Sequence, residues 1–296
     1  MQKSQDRLLL VGDNPFHGIS HLSQERVKNR GATITDPHFA ANLVATSIHS
    51  GANGFMFSVS DTTLSIVNIL SKKTAIDKVN LYPLVPYAYE YVRLATHAGG
   101  IPGLAKNMAK QIIKSRNATA AFFGLKGILS TNGMDLMKAY LAYEISRIKT
   151  SAKKKGIVRS VLLHEVVTDM CLALNIDSIF KTYIKFLQKR EIKPGFETRN
   201  FPLLIKKLND WGINSEDILI AAPFNKVGFY MNPSKNECEA ALSTLHKPTV
   251  IAMSVLAAGY LKPLEAIEYF DHLPNINAVV VGVSKEQQAI EIAQFL

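Results

Sequence analysis

Short apolar runs recur along the chain, and most are followed by a stretch with the spacing of an amphipathic helix. In Pro37–Ser50, apolar residues return every three or four positions until Gly51, which is typical of a helix and its C-terminal stop. The apolar runs are nearly continuous rather than alternating, which is typical of parallel strands buried on both faces. The predicted strands are Leu8–Gly12, Gly54–Ser58, Asn80–Tyr87, Val158–His164, Lys193–Glu197, Ile218–Pro223, Thr249–Ser254 and Ala278–Val283.

Strands and helices alternate along the whole chain. Eight such units in 296 residues predict an α/β fold, a closed (β/α)8 TIM barrel, with residues 1–296 as a single domain. An open dinucleotide-binding sheet is disfavoured, because GDNPFHG rather than GxGxxG follows the first strand. The predicted helices are Pro37–Ser50, Thr62–Lys73, Ile176–Arg190, Pro202–Gly212, Ser234–Leu245, Leu264–Phe270 and Lys285–Phe295.

The connection between the third and fourth strands is much longer than one crossover helix requires. It forms an insertion over residues 88–156, in which Pro102–Ser115 and Met134–Lys149 have helical patterns. Because it follows the C-terminal end of a strand, it is expected to overhang the catalytic face. Two roles stay open for it, a lid over the substrate and a contact in a homo-oligomer.

Composition and charge exclude several classes of protein. The 47% hydrophobic content excludes a disordered chain, and no run reaches the ~20 apolar residues of a membrane span. Two cysteines and no signal-peptide core favour a cytoplasmic protein without disulfides. The net charge of +10 comes from scattered Lys and Arg, which disfavours nucleic acid as a partner. It is compatible with a small anionic or phosphorylated ligand.

Polar side chains gather where the predicted strands end, which is where barrels of this kind carry their active sites. Histidines and carboxylates that face one cavity are suited to general acid–base catalysis. His164 is the strongest candidate, because it ends a wholly apolar strand where the fold requires no imidazole. Structural alternatives stay open, such as an ion pair between Glu165 and Arg199 on the rim. The predicted catalytic residues are Asp13, His17, Tyr87, His164, Glu165 and Glu197.

Two further kinds of site are suggested by residue type. Ser254–Gly259 and Gly282–Gln288 carry small residues after the last two strands, where barrels often bind phosphate, although tight loop packing explains them too. His17 and His21 are spaced to share a metal with Glu165 or Glu197 on a helix. The segment around Gly18 lacks a helical pattern, so a metal site is disfavoured.

From the fourth strand onward, about 140 residues resemble the aldo-keto reductase superfamily. VRSVLLHE is similar to its fourth strand, and ILIAAPFN to its sixth. KPGFETRNFPLLIKKLNDWGI is similar to its strand-five region, and TVIAMSVLAAGYL and INAVVVGVSKEQQAIEIA resemble its last two units. The resemblance implies that His164 orients a substrate carbonyl and that NADP(H) is the cofactor. The implied cofactor-binding residues are Asn200, Asn225, Ser254, Leu256, Gly259, Gly282, Ser284, Gln287 and Gln288.

The first half of the chain departs from that family. Ser58 stands where the family has a catalytic Asp, no Tyr follows it, and the third predicted strand ends without the family's Lys. Three hypotheses therefore stay open: a non-standard NADP(H)-dependent oxidoreductase acting on a carbonyl or hydroxyl compound, a phosphate-binding lyase or isomerase without nicotinamide, and a non-catalytic barrel that acts as a binding module.

Overall fold

The computed structural model describes residues 7–17, 32–86, 119, 124, 133–247 and 249–295. Within these ranges, nine strands form one sheet in which each strand is parallel to its neighbours. The strands are β1 Leu8–Gly12, β2 Gly54–Ser58, β3 Val79–Val85, β4 Gly156–Val158, β5 Ser160–Leu163, β6 Lys193–Glu197, β7 Leu219–Pro223, β8 Val250–Met253 and β9 Ile276–Gly282.

The sheet closes on itself to form a barrel. β2 pairs with both β1 and β3, and β9 pairs with both β1 and β8. β4 and β5 both pair with β3 and share one position of the ring, interrupted at Arg159. Arg159 donates a hydrogen bond from Nε to Oδ1 of Asn80 on β3, at 2.7 Å. The ring therefore has eight strand positions, which confirms the predicted (β/α)8 fold.

Helices cover the outside of the barrel. Many begin at a side-chain cap, such as Asp36, whose carboxylate accepts the Phe39 N–H at 3.0 Å. The described α-helices are α1 Pro37–His49, α2 Asp61–Lys72, α3 Gly133–Ala152, α4 Glu165–Ala173, α5 Asp177–Gln188, α6 Phe201–Asp210, α7 Lys235–Ser243, α8 Pro263–Asp271 and α9 Glu286–Ile290. None of the helices in the described ranges is long and apolar enough to cross a membrane.

Three features of the prediction need correction. The fourth predicted strand is split into β4 and β5, and the predicted helix Lys285–Phe295 is the short α9 followed by a 3-10 turn over Glu291–Phe295. α4 is absent from the prediction, because its apolar residues do not lie on one face. Cys171 is buried, whereas Val166 and Met170 on the same helix are exposed.

Of the insertion over residues 88–156, α3 is the main described part and packs against α2 and α5. Pro102–Ser115 lies outside the described residues.

Two apolar layers hold the barrel together. The larger lies between the strands and the helices, and includes Phe55, Phe57, Phe180 and Phe196. The smaller fills the barrel interior with alternate residues of β1, β2, β3, β5, β7, β8 and β9. Its buried members are Leu10, Met56, Tyr82, Leu84, Leu162, Leu219, Ala221, Ile251, Met253 and Ala278.

Candidate active site

Three polar side chains continue the inward-facing rows of the strands at the C-terminal end of the barrel. Ser58 lies two positions after Met56 on β2, and His164 lies two positions after Leu162 on β5. Glu197 is the last residue of β6 and pairs in register with β7. Because side chains alternate along a strand, all three point into the barrel. All three are buried, so the site lies below the rim of the barrel mouth.

His164 is both the end of β5 and the N-cap of α4. Its Nδ1 accepts a hydrogen bond from the backbone N–H of Val166 at 3.2 Å. Burial lowers the pKa of His164, although the nearby carboxylates of Glu165 and Asp13 act in the opposite direction. The ring is therefore neutral near pH 7 and, with Nδ1 accepting, carries its hydrogen on Nε2. His164 thus presents an N–H donor to the barrel interior.

Glu197 is an unusually weak acid for a glutamate. Burial, reinforced by the negative charge of Glu165, raises its pKa to about 8. Its Oε2 accepts the backbone N–H of Glu165 at 3.1 Å, and Nε2 of His164 lies 4.0 Å from the same oxygen. Near pH 7 the site therefore holds a protonated carboxylic acid beside a neutral imidazole.

Asp13 lies in the same electrostatic environment. Its Oδ2 accepts the backbone N–H of Ser58 at 2.7 Å, and Nε2 of His17 lies 3.0 Å from the same oxygen. The charge of Asp13 raises the pKa of both His164 and Glu197, so Asp13 lies close to both groups. Asp13 is buried and is held by its two neighbours, which leaves it suited to accept a proton.

Arg199 forms the ion pair with Glu165 that the sequence suggests for the rim. Its Nε and Nη2 donate to the two oxygens of Glu165, which makes the pair bidentate. The guanidinium also lies over the ring of Tyr230, 4.3 Å from its centroid. Glu165 is therefore held beside Glu197, where its charge favours the protonated form of that acid.

The turn that carries Arg199 is tied to α4 by Asp169. Asp169 accepts the hydroxyl of Thr198 and the backbone N–H of Arg199, the latter at 3.0 Å. Oγ1 of Thr198 in turn accepts the backbone N–H of Asn200 at 2.9 Å. These bonds fix the backbone of the turn, and with it the origin of the Arg199 side chain.

Replacing Asp169 by alanine is expected to lower the free energy of unfolding by about 1–3 kcal/mol, because the hydroxyl of Thr198 and the Arg199 N–H lose their acceptor. Urea unfolding followed by circular dichroism measures this. The matched control is Asp210→Ala, which removes an exposed carboxylate paired with Lys206 and is expected to change stability by less than about 0.5 kcal/mol. Equal effects of the two substitutions would contradict the role given to Asp169.

The two asparagines implied to contact a nicotinamide are both used to shape the backbone. Asn200 is the N-cap of α6, and its Oδ1 accepts the backbone N–H of Leu203 at 3.2 Å. Asn225 is fully buried. Its amide donates to the carbonyl of Phe229 at 2.9 Å and accepts the N–H of the same residue at 2.8 Å. Both atoms of the Asn225 amide are thus committed to its own loop.

The loop after β8 carries three of the implied cofactor positions, at the same end of the barrel as His164. Ser254 has a φ of 53° and Gly259 a φ of 90°, so the chain coils tightly here. The N–H of Gly259 donates to the carbonyl of Leu256 at 2.8 Å, within the loop. That donor is engaged, and the anion-binding role of the loop stays a prediction.

The loop after β9 carries the other four. Gly282 ends β9, and a Cβ at this position would come within 3.0 Å of the ring of Pro15, so glycine permits a close approach. The N–H and the hydroxyl of Ser284 both bond to Oε1 of Gln288, at 2.9 and 3.1 Å. Gln287 pairs with Glu291 on the other side of the turn. The cofactor role of these residues stays a prediction as well.

The remaining candidates concern a tyrosine and a metal. Tyr87 and His21 lie outside the described residues. Among the residues that the structure does describe, no group of three or more His, Cys, Asp or Glu side chains is arranged to hold a metal ion. Asp13, His17, His164, Glu165 and Glu197 are thus brought together at one end of the barrel, where Arg199 pairs with Glu165.

The arrangement of the whole chain is similar to that of two solved structures from Pseudomonas aeruginosa, each described as a "putative aldo-keto reductase". The first is 13% identical with a TM-score of 0.55, covering 97% of this chain and 89% of that chain. The second is 12% identical with a TM-score of 0.56, covering 97% of this chain and 88% of that one. The fold is an aldo-keto-reductase-like barrel. No family model matches the sequence, and no curated protein does.

Within this aldo-keto-reductase-like barrel, two residues of the site escaped the sequence analysis. Asp169 lies on the unpredicted helix α4, four positions after Glu165, and that spacing was the available signal. Tyr230 lies in the loop after β7, where nothing in the sequence indicates that its ring meets Arg199. Both residues act on Arg199 rather than on the barrel interior.

Proposed function

We propose that this chain is an enzyme that transfers protons at a carbonyl or hydroxyl compound, as an isomerase or lyase does. The observation that supports this most strongly is the pairing of two neutral proton donors in the mouth. Glu197, with its pKa raised by burial to about 8, lies 4.0 Å from the neutral imidazole of His164. Titratable groups with strongly shifted pKa values in a barrel mouth are typical of acid–base catalysis.

Each group has a distinct task in this reaction. Nε2–H of His164 donates a hydrogen bond to the carbonyl oxygen of the substrate, and the acid of Glu197 transfers its proton to that oxygen. At the same time a C–H bond next to the carbonyl breaks, its electron pair forms the C=C bond of an enol, and its proton passes to the carboxylate of Asp13. Asp13 then returns its proton to the former carbonyl carbon, while the hydroxyl on the neighbouring carbon gives its proton to Glu197 and becomes the new carbonyl. This completes an isomerisation and restores Glu197 as an acid and Asp13 as a carboxylate.

The test is exchange of carbon-bound hydrogen for deuterium, followed by proton NMR in D2O with a panel of small hydroxy ketones, 2-oxo acids and their phosphate esters. We expect exchange at the carbon next to the carbonyl to exceed the rate in buffer for at least one member. Exchange at the buffer rate across the whole panel would contradict the proposal. This reaction needs no redox partner, so it separates proton transfer from oxidation and reduction.

NADP(H) is the cofactor that the fold likeness suggests, and when bound it supplies a hydride. The described residues at the nicotinamide end do not fit that role. Both the nitrogen and the oxygen of the Asn225 amide bond to Phe229, Oδ1 of Asn200 caps α6, and Ser58 stands at the end of β2 in place of an acid. We therefore assign no step to a nicotinamide.

Titration of NADPH into the protein is expected to leave the emission of the cofactor unchanged up to millimolar concentration. The reason is that both the nitrogen and the oxygen of the Asn225 amide are already bonded to Phe229, which holds the side chain within its own loop. Fluorescence of NADPH measures this directly, with an equal concentration of heat-unfolded protein as the control. A saturable blue shift and increase in emission would instead favour the oxidoreductase hypothesis.

A further inference from the structure

The guanidinium of Arg199 has one nitrogen left over after its contacts with Glu165 and Tyr230. Nε and Nη2 are engaged by Glu165, and the ring of Tyr230 covers one face. Nη1 is buried and has no hydrogen-bond partner in the part of the chain that the structure describes. A buried donor on a charged group is costly to leave unpaired, so this atom is suited to an acceptor that arrives with a ligand.

The surroundings hold Arg199 rigidly in this position. The carboxylate of Asp169 accepts the backbone N–H of Arg199 at 3.0 Å, and the backbone carbonyl of Arg199 accepts the N–H of Asn232 at 3.2 Å. Tyr230 lies under the guanidinium with a φ of 62°, in a loop that Asn225 pins at the preceding residue. A donor fixed in advance loses little conformational freedom on binding, which is the usual property of a recognition group.

The charges around Arg199 indicate what kind of acceptor it takes. Its partner Glu165 donates its backbone N–H to Glu197, and the positive charge of Arg199 acts on the pKa of both His164 and Glu197, so Arg199 lies close to the proton-transfer groups. Asp13 and Glu165 contribute negative charge there, against the guanidinium of Arg199, among the residues that the structure describes. A dianionic phosphate would meet two carboxylates and one cation, whereas a monoanionic carboxylate adds one charge and matches the planar N–H donors of arginine.

We propose that Nη1 of Arg199 binds the carboxylate of the substrate, and that the substrate is a short 2-oxo or 2-hydroxy monocarboxylic acid. The inference rests on the proposed function for the reacting carbonyl or hydroxyl, which this anchor places beside Glu197 and His164. The carboxylate and the reacting carbon are then adjacent, in agreement with the electrostatic effect of Arg199 on both acid–base groups.

Isothermal titration calorimetry with matched acids and amides tests this. The probes are pyruvate, lactate and a branched 2-oxo acid, each paired with its neutral amide, together with inorganic phosphate. We expect at least one acid to bind about tenfold or more tightly than its amide, and more tightly than phosphate. In Arg199→Lys the affinity for that acid is expected to fall about tenfold, with the affinity for the amide unchanged.

Two further variants keep the outcome clear. Glu165→Gln retains the guanidinium but removes its competing carboxylate, so it is expected to bind the acid more tightly than the wild type. Lys226→Gln removes an exposed cation from the loop after β7, and is expected to change nothing. Amide binding and the unfolding temperature of Arg199→Lys show whether that variant is folded. If it is not folded, the affinity of Glu165→Gln for the acid is the result that supports or contradicts the proposal.

Several results would overturn the proposal: equal binding of every acid and amide, an Arg199→Lys variant with wild-type affinity, or tightest binding of phosphate. Binding is measured without turnover, so the two proposals fail separately. Arg199-dependent binding of an acid without deuterium exchange contradicts only the proposed reaction. Deuterium exchange that is equally fast in Arg199→Lys contradicts only the carboxylate anchor.

Discussion

Replacing Glu197 by glutamine is expected to lower the rate of deuterium exchange at least about a hundredfold, because the amide cannot give up a proton to the substrate oxygen. Glutamine has nearly the same shape, and its carbonyl oxygen can still accept the N–H of Glu165, so the fold is kept. Proton NMR in D2O measures the loss with whichever compound the wild-type protein exchanges.

The same substitution is expected to change how stability depends on pH. The pKa of Glu197 is about 8 in the folded chain, against an ordinary value of 4.5 in the unfolded one. The folded state therefore keeps a proton that the unfolded state has lost, and this contribution to the free energy of unfolding falls as the pH rises from 4.5 through 8. Glu197→Gln removes this contribution. As the pH rises from 4.5 to about 8, the free energy of unfolding of the wild type is therefore expected to fall by about 2 kcal/mol or more relative to that of the variant.

Glu216→Gln is the matched control, since it removes a partly exposed carboxylate whose partner is Lys247. It is expected to leave both the exchange rate and the alkaline loss of stability in place. His164 does not produce that loss, because its lowered pKa makes its own contribution weaken as the pH falls below 6.5. A Glu197→Gln variant with most of the wild-type exchange rate would remove Glu197 from the mechanism.

Truncation of Phe180 to alanine is expected to lower the free energy of unfolding by about 3–5 kcal/mol. The ring is fully buried and stacks on Phe196 with centroids 4.2 Å apart and planes 6° from parallel. Trp211 meets it edge-on, with centroids 5.1 Å apart. Since Phe196 directly precedes Glu197, a cavity here also loosens the strand that positions the acid. Urea unfolding measures the change in stability.

Phe180→Leu tests how much of the lost stability comes from the side-chain volume that Phe180→Ala removes. Leucine fills part of the space, so this variant is expected to lose less stability than Phe180→Ala, and to keep more of the exchange activity. Two variants with equal and small losses would show that the stacked pair on Phe196 is not a principal contact of the outer apolar layer.

The barrel was predictable because the pattern that indicates it is local. Apolar runs such as Gly54–Ser58 appear in the sequence with the bounds that the structure has, and the same is true of Leu8–Gly12 and Lys193–Glu197. α4 was missed for a local reason too, because exposed apolar residues such as Val166 and Met170 hide its amphipathic character. The split of the fourth strand at Arg159 depends on the partner Asn80, which no local pattern reveals.

The residue types of the site were also predictable from the order of the strands. Parallel strands bring all their C-terminal ends to one face, so His164, Glu197 and Asp13 were expected to share a mouth. The sequence did not indicate that both atoms of the Asn225 amide are already committed to Phe229. Nor did it show that Arg199 keeps one nitrogen unused among the described residues.

By itself, the order of apolar and polar residues determined the closed ring of strands and the set of polar groups at its mouth, because alternation and helical spacing are properties of neighbouring residues. Only the tertiary structure decided that Glu197 holds its proton near pH 7, and that Arg199 is paired with Glu165 while its Nη1 has no partner within the described ranges. Both depend on how deeply a side chain is buried and on charges brought close from other strands, and those distances exist only once the barrel has closed.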